Sequence, residues 1–217
     1  MPDYTLRRKM MVDTQVRPSD VTKFPIIDAM LSVPREKFVP DGAREAAYAG
    51  EHVPLGADRV VLDPRILAKM LDALEFDGDE LVLDIGGGLG YSSALMSRMA
   101  QAVVLLEEDA ELAEEAQAQL SEIGADNVIV QKGVWSAGDT EHGPYDLIIV
   151  QGGIEELPEA IAGQLKEDGR IACLFMDGAF GSVKIGRKID GVISWRFAFN
   201  GGAPILPGFE RQEEFSF

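Results

Sequence analysis

A glycine-rich loop between two apolar segments constrains the fold of this chain more than any other feature. The run Leu81–Tyr91 reads LVLDIGGGLGY, so an apolar strand carries Asp84 at its end and leads through glycines into a helix-like segment. Glycine permits positive φ angles and lets another group approach the backbone to contact distance. A helix that starts after such a loop directs its positive end towards whatever lies over the loop. The pattern predicts a nucleoside site at the carboxyl edge of a parallel sheet.

The spacing of the glycines distinguishes between nucleoside cofactors. Gly86, Gly88 and Gly90 follow Asp84 as D-x-G-x-G-x-G, whereas a dinucleotide fingerprint requires G-x-G-x-x-G. A second acidic residue, Glu107, ends the next apolar run, where a ribose-binding carboxylate belongs. This combination resembles the S-adenosylmethionine-dependent methyltransferases. The alternatives are a tight turn without a ligand and a nicotinamide-dependent dehydrogenase, and the loop spacing disfavours the dehydrogenase.

Strand-like runs and helical patterns alternate over the centre of the chain. The runs are Leu81–Ile85, Ala102–Glu107, Val128–Gln131, Asp146–Gln151 and Arg170–Phe175, and the helical patterns are Tyr91–Ala100, Asp109–Ile123 and Glu155–Lys166. This alternation predicts an α/β fold, a mainly parallel sheet with helices on both faces. The later runs Val183–Arg187 and Val192–Phe199 are interpreted as antiparallel strands at the edge of the sheet.

Two helices are also predicted before the glycine loop. Apolar residues recur at helical spacing from Pro25, and a second helix opens at Asp63-Pro64. Asp63 suits the N-cap of that helix and Pro64 its first position. The segment Val33–Pro40 between them is interpreted as an irregular connection.

Charge and residue counts exclude several partners. The 217 residues carry 37 acidic against 20 basic side chains, a formal net charge of −17, which disfavours a nucleic-acid substrate. No stretch approaches the roughly 20 apolar residues of a membrane span. One cysteine, Cys173, fits a reducing cytoplasm and a buried structural thiol. Two distant histidines, His52 and His142, predict no metal site, and a lone loop histidine such as His52 is more often exposed.

Several segments outside the loop resemble the protein-L-isoaspartate O-methyltransferases. The most specific is Val33–Pro40, VPREKFVP, which is similar to that family's V-P-R-x-x-F-V-P signature. The remaining similar segments are Met11–Arg17, Ala47-Tyr48 with Val53–Gly56, the glycine loop through Tyr91, Pro144–Val150 and Leu157–Leu165. The resemblance covers about residues 11 to 176.

The resemblance implies a Rossmann-like class I methyltransferase that repairs damaged polypeptides. Members of the family transfer a methyl group from S-adenosylmethionine to the carboxylate of an isoaspartyl residue. Residues 1–78 are then a helical and irregular segment that covers the acceptor site, and residues 79–217 are the cofactor-binding core with a C-terminal arm. The implied cofactor residues are Asp84, Gly86, Gly87 and Gly88 in the loop, Glu107 at the ribose hydroxyls, Val134 at the adenine and Gln151 near the methionine end.

Three departures from the family pattern surround the expected site. The family's T-I-S-x-P is Val60–Pro64 here, so Leu62 stands where the family has the serine assigned to catalysis, and leucine has no donor or acceptor. The family's G-D-G is Gly133–Trp135, which leaves the backbone of Val134 to contact the base and Trp135 to cover it. The family's T-A-A is Gln151–Gly153.

Two functional hypotheses follow from these residues. The first is an isoaspartate-repair carboxyl methyltransferase. The second is a divergent member that binds S-adenosylmethionine but has lost repair activity or methylates another acceptor. The arm Pro204–Phe209, followed by Phe215 and Phe217, is interpreted as a docked tail rather than a lid or a dimer contact.

Overall fold

Helices and strands alternate along the chain in the computed structural model, which describes residues 3–56 and 58–211. The helices are α1 (Tyr4–Met11), α2 (Phe24–Ser32), α3 (Pro64–Leu74), α4 (Tyr91–Met96), α5 (Ala110–Glu122) and α6 (Glu159–Gln164). The strands are β1 (Val53–Gly56), β2 (Arg59–Val61), β3 (Leu81–Ile85), β4 (Ala102–Glu107), β5 (Val128–Lys132), β6 (Tyr145–Ile154), β7 (Leu165–Asp177), β8 (Phe180–Ile189) and β9 (Val192–Asn200). Phe215 and Phe217 lie outside the described residues.

The main sheet has the strand order β5-β4-β3-β6-β7-β8-β9. Strands β5, β4, β3, β6 and β7 are parallel, and β8 and β9 are antiparallel additions at one edge. The predicted Rossmann-like class is therefore confirmed. The chain runs outward from β3 to β5 and then returns to place β6 on the other side of β3. Open α/β sheets bind ligands at such a switch point.

The two faces of the sheet are buried by different parts of the chain. One apolar cluster joins β3, β4 and β6 to residues of α2, α3, α4 and α5. The other joins the opposite face of these strands to α6, Trp135 and two residues of the C-terminal arm, Leu206 and Phe209. The arm thus covers part of this face of the sheet together with the short helix α6.

Local capping fixes where the predicted helices begin. The Asp63 carboxylate accepts a hydrogen bond of 2.9 Å from the backbone N–H of Ile66, which confirms its N-cap role for α3. Asp109 caps α5 in the same way through Leu112. Among the described residues, no helix is both long and apolar enough to cross a bilayer.

Two helix predictions were too long. The pattern over Tyr91–Ala100 gives a helix that ends at Met96, because the amide of Asn127 donates to the carbonyls of Ser97 and Ala100 and the chain tightens there. The pattern over Glu155–Lys166 gives only Glu159–Gln164, since Leu165 already pairs with β6. In both cases tertiary contacts outweigh helical spacing.

Candidate functional site

The carboxyl ends of β3, β4 and β6 bring the loop and the two predicted carboxylates together. Gly86, Gly88 and Gly90 have φ angles of 73°, 58° and 94°, so the loop uses the left-handed region three times. A side chain at Gly87 would lie 2.3 Å from a methyl carbon of Leu105. The loop therefore requires glycine for its conformation and for its packing on β4.

Asp84 ties the end of β3 to the start of α4 through side-chain hydrogen bonds. Its carboxylate is fully buried and accepts hydrogen bonds of 2.6 Å from the hydroxyls of Ser92 and Ser93. It also accepts a hydrogen bond of 2.8 Å from the side-chain amide of Gln151 on β6. Burial raises the pKa of Asp84 to about 6, although these neutral donors act to lower it. Asp84 is thus a structural centre of the site, and the amide nitrogen of Gln151 is one of its donors.

Glu107 is fully buried and its carboxylate is already saturated with donors. Arg59 forms a bidentate ion pair with it, with distances of 2.8 Å and 2.7 Å. The backbone N–H groups of Gly88 and Asp109 donate to the same carboxylate at 3.0 Å and 2.9 Å. Every oxygen that a ribose hydroxyl would use accepts two hydrogen bonds from the protein.

Arg59 is the charged residue of this cluster that the sequence did not predict. It belongs to the short hairpin β1–β2 and is only 8% exposed. Its guanidinium also donates to the carbonyl of Gly86 at 3.2 Å and lies 4.3 Å from the ring centroid of Trp135. The available signal was its position as the one Lys or Arg between Arg44 and Arg65 in an acidic chain. Its partner, 48 residues away, could not be inferred from that position.

Leucine side chains fill the space beside the glycines. A Cβ built on Gly88 would lie 2.4 Å from Leu55, and one on Gly152 would lie 2.5 Å from Leu206. Leu206 also packs against Gly86 and is 1% exposed. The groups that approach these glycines closely are therefore leucine side chains of the same chain.

The C-terminal arm is docked along the end of β6. The N–H of Gly153 donates to the carbonyl of Pro204 at 2.7 Å, and the N–H of Leu206 donates back to the carbonyl of Gly153 at 2.9 Å. The N–H of Glu155 donates to the carbonyl of Phe209 at 2.9 Å. The described part of the arm behaves as the docked tail that the sequence favoured.

The position of the family serine is apolar and buried. Leu62 is 1% exposed, and its carbonyl accepts a hydrogen bond of 2.8 Å from the guanidinium of Arg35. The Nδ1 atom of His52 accepts from the backbone N–H of Asp63 at 2.9 Å, and Nε2 lies 2.8 Å from the carbonyl of Gly202. The expectation of an exposed His52 is wrong, since it is half-buried and links the start of α3 to the segment between β9 and the arm.

Val134 and Trp135 differ in their exposure at the end of β5. The side chain of Val134 is 53% exposed, whereas Trp135 is 5% exposed beneath Arg59. The Arg59 guanidinium therefore lies over the Trp135 ring while it is hydrogen-bonded to Glu107.

The site has the residue types of an S-adenosylmethionine site but not the space for one in this conformation. Ribose hydroxyls need carboxylate oxygens that are free to accept, and adenine needs an open slot. Arg59 fills the space at the Glu107 carboxylate and over the Trp135 ring, and Leu55 and Leu206 contact the glycines on either side. As it stands, the closed arrangement does not fit the cofactor.

A family model and several curated relatives match most of this chain. The family model described as Protein-L-isoaspartate(D-aspartate) O-methyltransferase (PCMT) matches residues 7–190. A protein-L-isoaspartate O-methyltransferase of Dictyoglomus turgidum is 36% identical over 168 residues, which cover 77% of this chain and 76% of that protein. One from Methylorubrum extorquens is 37% identical over 171 residues, covering 79% and 75%.

Solved structures give the same fold. A protein-L-isoaspartate O-methyltransferase that is 26% identical superposes with a TM-score of 0.79. The superposition covers 93% of this chain and 66% of the other. A structure from Plasmodium falciparum described as a complex with S-adenosyl-L-homocysteine is 18% identical, with a TM-score of 0.77 over 95% of this chain and 99% of that one. At that identity it supports the fold alone.

Proposed function

Because the chain belongs to the protein-L-isoaspartate O-methyltransferase family, we propose that it is an S-adenosylmethionine-dependent carboxyl O-methyltransferase whose acceptors are isoaspartyl residues of damaged polypeptides. The observation that carries the proposal is the meeting of Asp84, the glycine loop and Glu107 at the switch point of the sheet. Asp84 orders the loop, and Glu107 is the carboxylate suited to ribose hydroxyls. Val134 and Gln151 complete the proposed cofactor set.

The proposed reaction makes modest demands on acid–base chemistry. A carboxylate acceptor is already an anionic nucleophile, so the protein has to orient it and remove its water rather than deprotonate it. Leu62 offers no side-chain donor for that orientation, and Arg35 holds its carbonyl. His52 is bonded to the backbone at Asp63 and Gly202. Orientation of an acceptor is therefore the weakest part of the proposed site.

The proposal includes a division of labour along the chain. Residues 1–78 would cover the acceptor and residues 79–217 would bind the cofactor. The packing of α2 and α3 against one face of the sheet supports this division, because it places their segment beside the strands that carry the site.

A second candidate function is favoured by the environment of Leu62. A family member with an apolar side chain at this position would methylate an acceptor other than an isoaspartyl carboxylate, or none. The substitution that separates the candidates is Leu62→Ser, with Leu62→Ala as its matched control, since both shorten the side chain and only serine restores a hydroxyl.

The decisive experiment is transfer of labelled methyl from S-adenosylmethionine to an isoaspartyl peptide, with the aspartyl peptide as its control. We expect transfer to the isoaspartyl peptide alone, higher in Leu62→Ser than in Leu62→Ala. Absence of transfer in the wild type and in Leu62→Ser, from protein shown to be folded by circular dichroism, contradicts the repair function and favours the second candidate.

A further inference from the structure

We propose that Arg59 is a built-in occupant of the ribose position, so that the chain closes its own nucleoside site until the hairpin β1–β2 withdraws. This inference rests on the proposed function, because it concerns the same site. It assigns a role to a residue that belongs neither to the glycine loop nor to the acceptor position.

The contacts of Arg59 reproduce the two interactions that a nucleoside would make here. Its two terminal nitrogens donate to both oxygens of Glu107 at 2.8 Å and 2.7 Å, where ribose hydroxyls would donate. Its planar guanidinium lies 4.3 Å from the centroid of Trp135, where a base would stack. Guanidinium groups are well suited to both roles, because they donate in a rigid fork and stack on aromatic rings. A nucleoside and Arg59 therefore compete for one place.

The competition favours the closed form. Arg59 meets Glu107 as a bidentate pair of opposite charges, whereas a ribose hydroxyl is a neutral donor to the same carboxylate. Both partners are nearly or fully buried, so withdrawal of Arg59 leaves the Glu107 carboxylate without its counter-ion until a ligand binds. A ligand that binds only the open form has an apparent affinity reduced by the fraction of molecules in that form.

In the part of the chain that the structure describes, the hairpin is not hydrogen-bonded into the ladder of the main sheet. Within the described residues, β1 and β2 form a separate two-stranded sheet and pair with each other. Leu55, on the same hairpin, packs against Gly88 of the loop. Withdrawal of one element would therefore free the carboxylate, the indole face and the loop glycine together, while the ladder that holds β3 between β4 and β6 stays intact.

The test is calorimetric titration with S-adenosylhomocysteine of the full chain, of Arg59→Ala and of Arg98→Ala. Arg98 is the matched control, because its ion pair with Asp28 lies at the surface and both side chains are 46% exposed. We expect Arg59→Ala to bind on the order of tenfold more tightly than the wild type, or better, and Arg98→Ala to bind like the wild type. Circular dichroism and a thermal melt establish that each variant is folded.

A second measurement needs no substitution of Arg59, whose loss leaves a buried carboxylate and endangers folding. Amide hydrogen exchange of the wild type is compared with and without saturating S-adenosylhomocysteine. We expect the amides of β2 to lose protection on binding while those of β3 and β4 keep theirs. Increased or unchanged protection in β2 overturns the inference, whatever the fate of the variant.

The outcomes separate this inference from the function on which it rests. Equal and tight binding by the wild type and Arg59→Ala overturns the self-occupied site and leaves the methyltransferase proposal standing. Absence of binding by both folded proteins overturns both, because the site is then not a nucleoside site. Tighter binding by Arg59→Ala together with exposure of β2 supports both.

Discussion

Asp84 and Glu107 are buried carboxylates at the same edge of the sheet, but their environments are opposite in charge. Asp84 accepts from two hydroxyls and an amide, all neutral, whereas Glu107 faces a guanidinium. Burial without a counter-ion disfavours the charged form, which is why the pKa of Asp84 rises to about 6. The pKa shift of Asp84 therefore makes the effect of substituting this residue dependent on pH.

Replacing Asp84 with Asn should stabilise the protein at neutral pH. The folded-state pKa of about 6 lies above the ordinary 3.8, so the folded state binds the proton more tightly and wild-type stability rises as pH falls from about 7 to about 4. At about 1.4 kcal/mol per pKa unit, the advantage of Asp84→Asn reaches at most about 3 kcal/mol near pH 7.5 and disappears near pH 4. Urea unfolding of both proteins across this range measures the difference.

Asp146→Asn is the matched control, with the opposite sign. Burial acts to raise the pKa of Asp146, but hydrogen bonds from Lys166 and the backbone of Leu81 outweigh it and lower the pKa. That contribution to stability is present above the ordinary pKa and is lost in acid, so the cost of Asp146→Asn should shrink as pH falls. A constant advantage of Asp84→Asn at all pH values would contradict the assigned environment.

The sequence predicted which residues would meet but not what they would contact. Asp84 and Glu107 follow apolar runs, and the ends of neighbouring parallel strands share an edge, so their proximity could be inferred. The pairing of Glu107 with Arg59 depends on the path of a hairpin that carries no strong strand pattern. Local propensity has no information about a contact of that range.

Among the elements, the C-terminal arm both packs against the glycines of the site and pairs with the end of β6. Leu206 fills the gap between Gly86 and Gly152, and the arm pairs with the end of β6. A leucine in a fully packed site contributes through burial and through the absence of a cavity. The arm is therefore part of the folded layer and part of the wall of the site.

Leu206→Ala and Gly152→Ala should be non-additive. Leu206→Ala is expected to lower the free energy of unfolding by about 2–5 kcal/mol through a cavity, and Gly152→Ala by about 1–3 kcal/mol through a clash with Leu206. The three nearest atoms to a Cβ on Gly152 all belong to Leu206, so the double variant should be more stable than the sum of the two predicts.

The control for this cycle is Gly163→Ala, since a Cβ on Gly163 meets nothing within 4 Å. Gly163 lies in α6, so alanine there should be neutral or slightly stabilising and additive with Leu206→Ala. Denaturant unfolding of the four proteins of each cycle gives the coupling. Additivity between positions 152 and 206 would show that the arm shifts to accommodate a methyl group.

Strands that are apolar throughout were easier to predict than elements held by contacts with distant residues. The runs that became β3 and β4 have the predicted bounds because each is continuously apolar and buried on both faces. The hairpin β1–β2 and helix α1 were not predicted. Helix α1 has little apolar character and is tied down by Arg7 and Arg8, which pair with Glu45 and Glu36 far along the chain.

For the molecule as a whole, the excess of negative charge is the dominant electrostatic fact. With a formal net charge of −17, the folded chain repels itself more strongly than the expanded chain does. Raising NaCl from about 20 mM to about 200 mM should therefore increase the free energy of unfolding by on the order of 1 kcal/mol. Urea unfolding near neutral pH measures it.

The same ionic strength in KCl is the control for screening. A screening effect is independent of the cation, so both salts should act equally. A response to one salt alone would indicate a specific ion, and a loss of stability with salt would show that ion pairs outweigh the repulsion.

The overall architecture follows from alternation, since strands that alternate with helices leave few arrangements other than a parallel sheet. Which residues cover its second face does not follow, because that depends on the arm beyond β9. The contacts that fill the site have the same origin, because they come from two segments outside the repeating pattern, the hairpin before α3 and the arm after β9.

The rate at which the buried thiol on β7 is alkylated can report how often the structure around this strand opens. Cys173 is fully enclosed, burial raises the pKa of its thiol, and the chain has no other cysteine. Only a molecule in which the sheet around β7, or the layer of α6 and the arm that covers it, has opened exposes the sulfur to an alkylating reagent. The rate at which intact protein gains one alkyl group, read by mass spectrometry, therefore reports on these openings in native buffer without a denaturant.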